Sequence, residues 1–123
     1  MKTILLVEDD IDLREALRDL IAGSGYRVET CPEGRAALAY LEHSVPDLLL
    51  IDGTMPVLDG FSVLSEIKRR PGLSSLPIIL MSAESPKGSQ DEYGWTAFLR
   101  KPLDLDHLNR EIARLLRSEE SKS

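Results

Sequence analysis

The sequence predicts an α/β domain built on a parallel β-sheet. Short apolar segments alternate with amphipathic stretches along the chain, which is the pattern of strands joined by crossover helices. The 123 residues are enough for one ordinary domain with a sizeable core, and no internal repeat interrupts the pattern. We therefore expect one domain over residues 1–117, followed by a polar tail or the start of a linker over 118–123.

Five apolar or alternating segments are expected to be strands. The third is the most uniformly apolar, so we expect it at the centre of the sheet. The second alternates polar and apolar residues, as a half-exposed strand near an edge does. In chain order the predicted strands are 3–7, 26–31, 47–52, 76–82 and 95–100.

Four helices are predicted where apolar residues recur at helical spacing between the strands. Gly23 and Gly25 end the first helix, and Pro71 with Gly72 ends the third. The periodic stretches cover 11–21, 36–41, 60–70 and 104–117.

The interval before the fifth strand does not fit this pattern. Residues 83–94, AESPKGSQDEYG, contain Pro86, two glycines and almost no apolar residue that could dock a helix. Both residue types oppose a helix, and helices depend on a buried apolar face. We expect a short or irregular fourth helix, with Tyr93 or Trp95 covering the sheet in its place.

Composition excludes several classes of function. A formal net charge of −6 argues against a nucleic-acid surface. No apolar run approaches the roughly 20 residues of a membrane span, and the start MKTILLVEDD turns acidic too early for a signal peptide. The single cysteine, Cys31, suits a reducing compartment. We expect a cytoplasmic protein that binds neither nucleic acid nor membrane.

Polar side chains stand where the predicted strands end. In an open parallel sheet, functional groups gather beyond the carboxyl ends of the strands. Three acids follow the first strand, one acid ends the third, a hydroxyl ends the fourth and a lysine follows the fifth. These residues are Glu8, Asp9, Asp10, Asp52, Ser82 and Lys101.

Crowded carboxylates need a compensating cation. Two carboxylates at ~4 Å repel by ~4 kcal/mol at an effective dielectric of about 20. A hard divalent ion such as Mg²⁺, which prefers oxygen ligands and keeps several waters, would relieve this repulsion. Acids before a helix are also good N-terminal caps, so Asp10 is expected to be a cap. Asp52 ends a strand and has no such role.

Four motifs in order make the chain resemble the receiver domains of bacterial two-component response regulators, the CheY-like family. DGTMPVLDG carries the family's D-x-x-M-P-x-x-D-G from Asp52 to Gly60. LLVEDD is similar to its acidic loop, LMSA to its hydroxyl-plus-small pair, and FLRKP to its aromatic-x-x-Lys-Pro. The resemblance covers nearly all of residues 2–117. It implies a flavodoxin-like fold with strand order 2-1-3-4-5, flanked by helices.

The resemblance implies that Asp52 is the phosphoacceptor, which takes a phosphoryl group from a phosphohistidine on a partner protein. It also implies a Mg²⁺ site. Asp9 would ligate the ion directly with Asp52, Glu8 would act more remotely, and Thr54 would offer its backbone carbonyl.

The remaining roles also come from the resemblance. Ser82 would hydrogen-bond one phosphoryl oxygen and Lys101 would neutralise another, with a cis peptide before Pro102. Phe98 would turn inward when Ser82 moves. The partners would be a sensor histidine kinase or a histidine phosphotransfer protein, and a downstream output domain or protein. The chain would not be a turnover enzyme acting on a separate substrate.

Two departures from the family pattern concern the loops. Gly53 stands where larger apolar residues are common, which is expected to loosen the loop after Asp52. The interval from Ser82 to Lys101 is 19 positions, 82 to 101, a few shorter than is usual in the family. The shortening falls in the helix that usually contributes to the output face.

Three other functions are alternatives to that of a phosphoacceptor. A phosphatase of the haloacid-dehalogenase type would need a second Asp where Thr54 stands. A flavodoxin-like FMN module would offer hydroxyls and glycines to a phosphate, whereas EDD would repel one. A receiver-like docking module that works without phosphorylation remains the alternative, because the shortened output face is unusual.

Overall fold

A computed structural model describes the backbone of residues 1–121 and the side chains of residues 1–117. Five parallel strands form one sheet in the order β2-β1-β3-β4-β5. The strands are β1 Thr3–Val7, β2 Arg27–Cys31, β3 Leu48–Asp52, β4 Ile78–Ser82 and β5 Ala97–Arg100. The helices are α1 Ile11–Gly23, α2 Gly34–His43, α3 Gly60–Lys68, α4 Gln90–Tyr93 and α5 Leu105–Ser121. The predicted fold and strand order are confirmed.

The core lies on both faces of the sheet. Alternate residues of β3 point to opposite faces, so Leu49 and Ile51 pack in one cluster while Leu48 and Leu50 pack in the other. Helices α2 and α3 cover the first cluster, and α1 and α5 cover the second. Every residue of β3 is buried, which explains why its sequence is apolar without alternation.

Several element boundaries differ from the sequence prediction by about two residues. Strand β4 begins at Ile78 because Pro77 has no N–H to donate to the ladder. Strand β5 begins at Ala97, and Thr96 instead accepts a side-chain hydrogen bond from the Ile78 N–H at 2.9 Å. Helix α3 ends at Lys68, and Pro71–Leu73 forms a 3₁₀ turn after it.

Helix α4 has only four residues, which confirms the short fourth helix. Ser89 and Glu92 form a reciprocal capping box at its start, and Gly94 ends it in the left-handed conformation with φ of 79°. None of its residues is fully buried. The helix therefore has caps at both ends but no apolar face that would extend it.

Helix α5 packs on the sheet through Leu108, Ile112 and Leu115, which are buried on one side of it. No helix among the residues that the structure describes is both long and apolar enough to cross a bilayer. Helix α5 continues to Ser121, four residues past the predicted end at 117. The polar tail or linker predicted over 118–123 stays a prediction, because the side chains of 118–121 and all of 122–123 lie outside the described part of the chain.

A substitution at Gly60 tests this packing. A Cβ built on Gly60 would lie 2.2 Å from the backbone oxygen of Asp52, whereas one built on Gly23 meets nothing within 4 Å. Gly60→Ala should therefore lower the free energy of unfolding by about 1–3 kcal/mol. Gly23→Ala is the matched control, and we expect it to unfold at or above the parent's midpoint.

Urea denaturation of the two variants measures the difference. If Gly60→Ala unfolds at the same midpoint as Gly23→Ala, the close approach of Gly60 to Asp52 does not exist in solution.

Candidate functional site

The predicted polar residues meet at the carboxyl edge of the sheet. In the strand register, Val7 lies beside Ile51 and Asp52 beside Met81. Glu8 follows Val7, and Ser82 ends the next strand along. The parallel pairing of β1, β3 and β4 thus places these groups at one level, as the sequence predicted.

Two carboxylates of this site are buried against one ammonium group. Glu8 is 0% exposed and Asp52 is 4% exposed. The Lys101 Nζ donates to Glu8 Oε1 at 2.7 Å and to Asp52 Oδ2 at 3.1 Å. A carboxylate is tolerated in such a place only when it is paired and hydrogen-bonded. Lys101, which follows the edge strand β5, supplies the positive charge that compensates both carboxylates.

The same contacts keep Lys101 charged. Burial of its ammonium disfavours the charged form, but the hydrogen bond to Glu8 and the charge of Asp52 outweigh it, so the pKa of Lys101 is raised. Lys101 is therefore a cation at neutral pH. The peptide between Lys101 and Pro102 is cis, as the family resemblance implied.

The remaining negative charge could hold a metal ion. Carboxylate oxygens of Glu8, Asp9 and Asp52 lie within 4.8 Å of one another. Three carboxylates and one ammonium leave two negative charges uncompensated. Although the Asp9 side chain is exposed, partial desolvation of its carboxylate and, after it, a hydrogen bond with Glu8 raise the pKa of Asp9. An all-oxygen donor set fits Mg²⁺.

The three acids differ in burial and in the hydrogen bonds that their carboxylate oxygens accept. Both oxygens of Glu8 are engaged, one by Lys101 and the other by the Asp10 N–H at 3.2 Å. Asp9 is exposed at the mouth of the site. Asp10 accepts from the N–H groups of Asp12 and Leu13, so it caps α1 as predicted. The geometry favours Asp9 over Glu8 as a direct ligand.

Asp52 is held by backbone on its other side. Its Oδ1 accepts from the Thr54 N–H at 3.1 Å, which brings Thr54 to the exposed rim of the site. The Gly53 N–H donates to Met81 at 2.7 Å, and the Gly60 N–H donates back to Gly53 at 3.1 Å. The start of α3 is thus fastened to the backbone of the residue that follows Asp52.

The expectation that Gly53 loosens this loop stays a prediction, but the structure shows what lies beside Gly53. Gly53 is buried, and a Cβ built on it would lie 3.0 Å from the Phe61 ring and 3.4 Å from the Ser82 Cβ. The Phe61 ring occupies the space that a larger residue would fill. The sequence analysis did not predict this role of Phe61. The available signal was a glycine directly after Asp52 together with an aromatic residue directly after Gly60.

Ser82 lies next to Gly53, the residue after Asp52. It is buried, and its Oγ accepts from the Glu84 N–H at 3.1 Å. Its carbonyl accepts from the Lys101 N–H at 2.9 Å. The hydroxyl is therefore bonded to the segment that leads to α4.

Phe98 stands apart from the acids, at the end of a row of aromatic side chains. It is half-buried on β5. Ring centroids are separated by 5.1 Å from Phe61 to Tyr93, 6.3 Å from Tyr93 to Trp95 and 6.2 Å from Trp95 to Phe98. This aromatic row connects Gly53 with β5 and covers the sheet beside the short α4, as predicted for Tyr93 and Trp95.

A second ion pair near the site had no signal in the sequence. The Lys87 Nζ lies 2.7 Å from Asp59 Oδ2 and 5.6 Å from the centroid of Phe61. Asp59 also caps α3 by accepting from the Ser62 N–H at 2.9 Å. Partial burial raises the pKa of Asp59, but the hydrogen bonds from Lys87 and Ser62 lower it more, so the net shift is downward.

Comparison with known proteins gives consistent results. The family described as response regulator receiver domain matches residues 4–113. Response regulator Rre1 of Synechocystis is 30% identical over 125 residues, which cover 98% of this chain and 54% of that protein. The chain thus spans about half the length of this relative.

Solved receiver structures are also similar to this chain. The signal receiver domain of a signal transduction histidine kinase from Syntrophus aciditrophicus has a TM-score of 0.87 and 32% identity, with coverage of 96% of this chain and 92% of that one. Response regulator TrrA from Thermotoga maritima, in complex with Mg²⁺ and beryllofluoride, has a TM-score of 0.83 and 28% identity, with coverage of 94% and 99%.

The family match runs through the strands that carry the acids, the hydroxyl and the lysine. It agrees with the sheet order and with the ion pairs at the carboxyl edge. On these grounds the chain belongs to the response regulator receiver domain family.

Proposed function

We propose that this chain is the phosphoacceptor receiver domain of a two-component signalling system, with Asp52 as the acceptor. The observation that carries the proposal is the position of Asp52, a buried carboxylate whose two oxygens are held by Lys101 and by the Thr54 N–H. Phosphoryl transfer needs positioning and charge compensation more than it needs a strong base. The Thr54 N–H positions the Asp52 carboxylate, and the Lys101 ammonium compensates its charge.

In the proposed reaction, an Asp52 oxygen attacks the phosphorus of a phosphohistidine. The phosphorus–nitrogen bond breaks, its electron pair stays on the imidazole nitrogen, and that nitrogen takes a proton. Asp52 becomes an acyl phosphate. Lys101 neutralises one phosphoryl oxygen, and the Ser82 hydroxyl donates a hydrogen bond to another. Ser82 can donate without losing the bond that it accepts from Glu84.

The carboxylates fit a Mg²⁺ ion. Asp9 and Asp52 would bind it together with the backbone carbonyl of Thr54. Glu8 would act at greater distance, because it is fully buried and lies nearer to the Lys101 ammonium, at 2.7 Å, than Asp52 does, at 3.1 Å. When bound, the ion supplies positive charge toward the phosphoryl oxygens. Lys101 can then leave part of its contact with Asp52 and turn to the phosphoryl group.

The proposed partners follow from the reaction. A sensor histidine kinase or a histidine phosphotransfer protein supplies the phosphoryl group, and an output domain or protein responds to the changed surface. The chain promotes its own phosphorylation and dephosphorylation but is not a turnover enzyme on a separate substrate. The cytoplasm is the proposed compartment, in keeping with the free thiol of Cys31.

The proposed switch uses Ser82 and Phe98. Movement of Ser82 toward the phosphoryl group would draw residues 83 and 84 inward, because the Glu84 N–H is bonded to its hydroxyl. The aromatic row would adjust at Phe98, which is half-buried. The short α4 makes residues 84–94 the proposed site of reordering.

The first prediction concerns the acceptor. Asp52→Asn keeps the shape of the side chain but removes the nucleophilic charge, so Mg²⁺-dependent labelling by ³²P-acetyl phosphate should fall to background. Asp19→Asn, an exposed site on α1, is the matched control and should label like the parent. Acyl label that persists on Asp52→Asn would rule out Asp52 as the sole acceptor. A parent that takes up no label would instead favour the docking-module alternative.

The second prediction concerns the metal. At a Mg²⁺ concentration about 100 times Kd, the parent should gain about 2.7 kcal/mol of stability. Asp9→Ala should lose most of that gain because a direct ligand is removed. Without metal it should be no less stable than the parent, because a crowded carboxylate is gone.

Thermal melts with and without Mg²⁺ measure both effects. Asp10→Asn is the control, since asparagine keeps the cap of α1 and the residue is no ligand in this proposal. An Asp9→Ala protein that responds to Mg²⁺ as strongly as Asp10→Asn would exclude Asp9 as a principal ligand.

The third prediction concerns residues 84–94. Amides in this segment should exchange quickly in the unmodified protein, because few of its side chains are buried. Mg²⁺ and beryllofluoride should slow them, whereas the amides of β3 should stay protected in both states. Equal, strong protection of residues 84–94 in both states would contradict the proposed reordering.

A further inference from the structure

Lys87 makes two contacts that no part of the proposed chemistry uses. Its ammonium is paired with Asp59 at 2.7 Å and lies over the ring of Phe61 at 5.6 Å from the centroid. A cation within about 6 Å of an aromatic face is attracted to it. Although the Lys87 side chain is 58% exposed, its head group is fixed from two sides by residues at the start of α3.

Asp59 precedes a residue that packs closely on Asp52. Asp59 caps α3 through the Ser62 N–H, and Gly60, the next residue, donates to the carbonyl of Gly53 at 3.1 Å. Gly60 is so close to Asp52 that a Cβ on it would lie 2.2 Å from the Asp52 backbone oxygen. A displacement of Asp59 would therefore move Gly60 against the backbone of Asp52, because closely packed groups transmit strain.

The segment that carries Lys87 is fastened at its other end to Ser82. The Glu84 N–H donates to the Ser82 hydroxyl at 3.1 Å. Arg100 donates to the Ala83 carbonyl at 3.2 Å and to the Ser85 hydroxyl at 3.1 Å. Residues 83–87, which we call the strap, thus connect the proposed phosphoryl-binding hydroxyl with the cap of α3.

We propose that Lys87 is a positioning residue for the phosphorylation site, through its ion pair with Asp59. The ion pair holds the strap closed, limits the movement of Ser82 and restricts the approach of water to the phosphoryl group. This role rests on the proposed function of Asp52. It concerns the lifetime of the acyl phosphate, not the ability to form it.

The affected reaction is hydrolysis of the acyl phosphate. Water attacks the phosphorus, the bond from phosphorus to the Asp52 oxygen breaks, and the electron pair leaves with Asp52 as a carboxylate. Inorganic phosphate takes up the oxygen of water, and the proton is released to solvent. A strap that opens more often gives water more frequent access and holds Ser82 less well, so hydrolysis becomes faster.

The test measures this hydrolysis in four single variants and in the double variant of Lys87→Met with Asp59→Asn, all labelled with ³²P-acetyl phosphate and Mg²⁺. Lys87→Met keeps the length of the stem but removes the charge, and Asp59→Asn keeps the cap of α3 but removes its charge. Lys87→Arg retains the ion pair. Lys2→Met removes a lysine at the opposite edge of the sheet, where its backbone pairs with Arg27, and serves as the control.

We expect Lys87→Met and Asp59→Asn to shorten the half-life of the acyl phosphate by about two- to fivefold, the range that an exposed ion pair can supply. The double variant should be no worse than the worse single variant, because each removes the same interaction. Lys87→Arg and Lys2→Met should match the parent. Amide exchange of residues 83–88 in the unphosphorylated protein should accelerate in the first two variants only.

Two results would overturn the role of Lys87. One is a half-life for Lys87→Met within about 1.5-fold of the parent's. The other is additive effects of Lys87→Met and Asp59→Asn, which would mean that the two residues act separately. A parent that takes up no label would overturn the proposed function itself, and that failure is distinct because it appears before any variant is compared.

Discussion

The contact of Lys101 with two buried carboxylates is the constraint on which the rest of the site depends. Glu8 and Asp52 lie at the ends of neighbouring strands, almost without exposure, and each would be costly there alone. Removing one partner from such a buried pair costs about 3–5 kcal/mol, because the remaining charge is uncompensated. Lys101 therefore ties β5 to β1 and β3 through charge as well as through the sheet. A site that fixes one cation between two acids is also ready to exchange part of that contact for a phosphoryl group, which supports the proposed chemistry.

The loops around the acids are held more tightly than their composition suggests. Gly53 and Gly60 allow the backbone that follows Asp52 and the start of α3 to approach closely. The ring of Phe61 fills the space beside Gly53. The same ring begins the aromatic row that ends at Phe98. The row occupies the place of a longer fourth helix, so large, stiff side chains take over the covering of the sheet. In this chain a row of aromatic rings connects Phe61 with β5, and the helix beside the row is four residues long.

Much of the fold and the site could be predicted from local rules. Apolar runs that end in a charged residue identified β1 and β3 together with Glu8 and Asp52. Parallel pairing then placed the residues at one edge, without any knowledge of distances. The cap at Asp10 and the short α4 also followed from neighbouring residues, since caps and helix breakers act within one turn. Strand starts were less accurate, because Pro77 has no N–H to donate to the ladder and the Thr96 side chain accepts the Ile78 N–H.

The sequence by itself determined the order of the strands' apolar segments, the acids and the lysine that follow them, and the family to which they are similar. The tertiary structure alone decided which oxygens remain free, how Gly53 is packed and where Lys87 points. Glu8 and Asp9 are adjacent and chemically alike, but only Glu8 is turned inward to Lys101. Lys87 and Asp59 are 28 positions apart on two different loops, and no local pattern couples them. Their pairing depends on the direction in which the strap leaves β4, which is a property of the packed molecule and not of any short stretch of sequence.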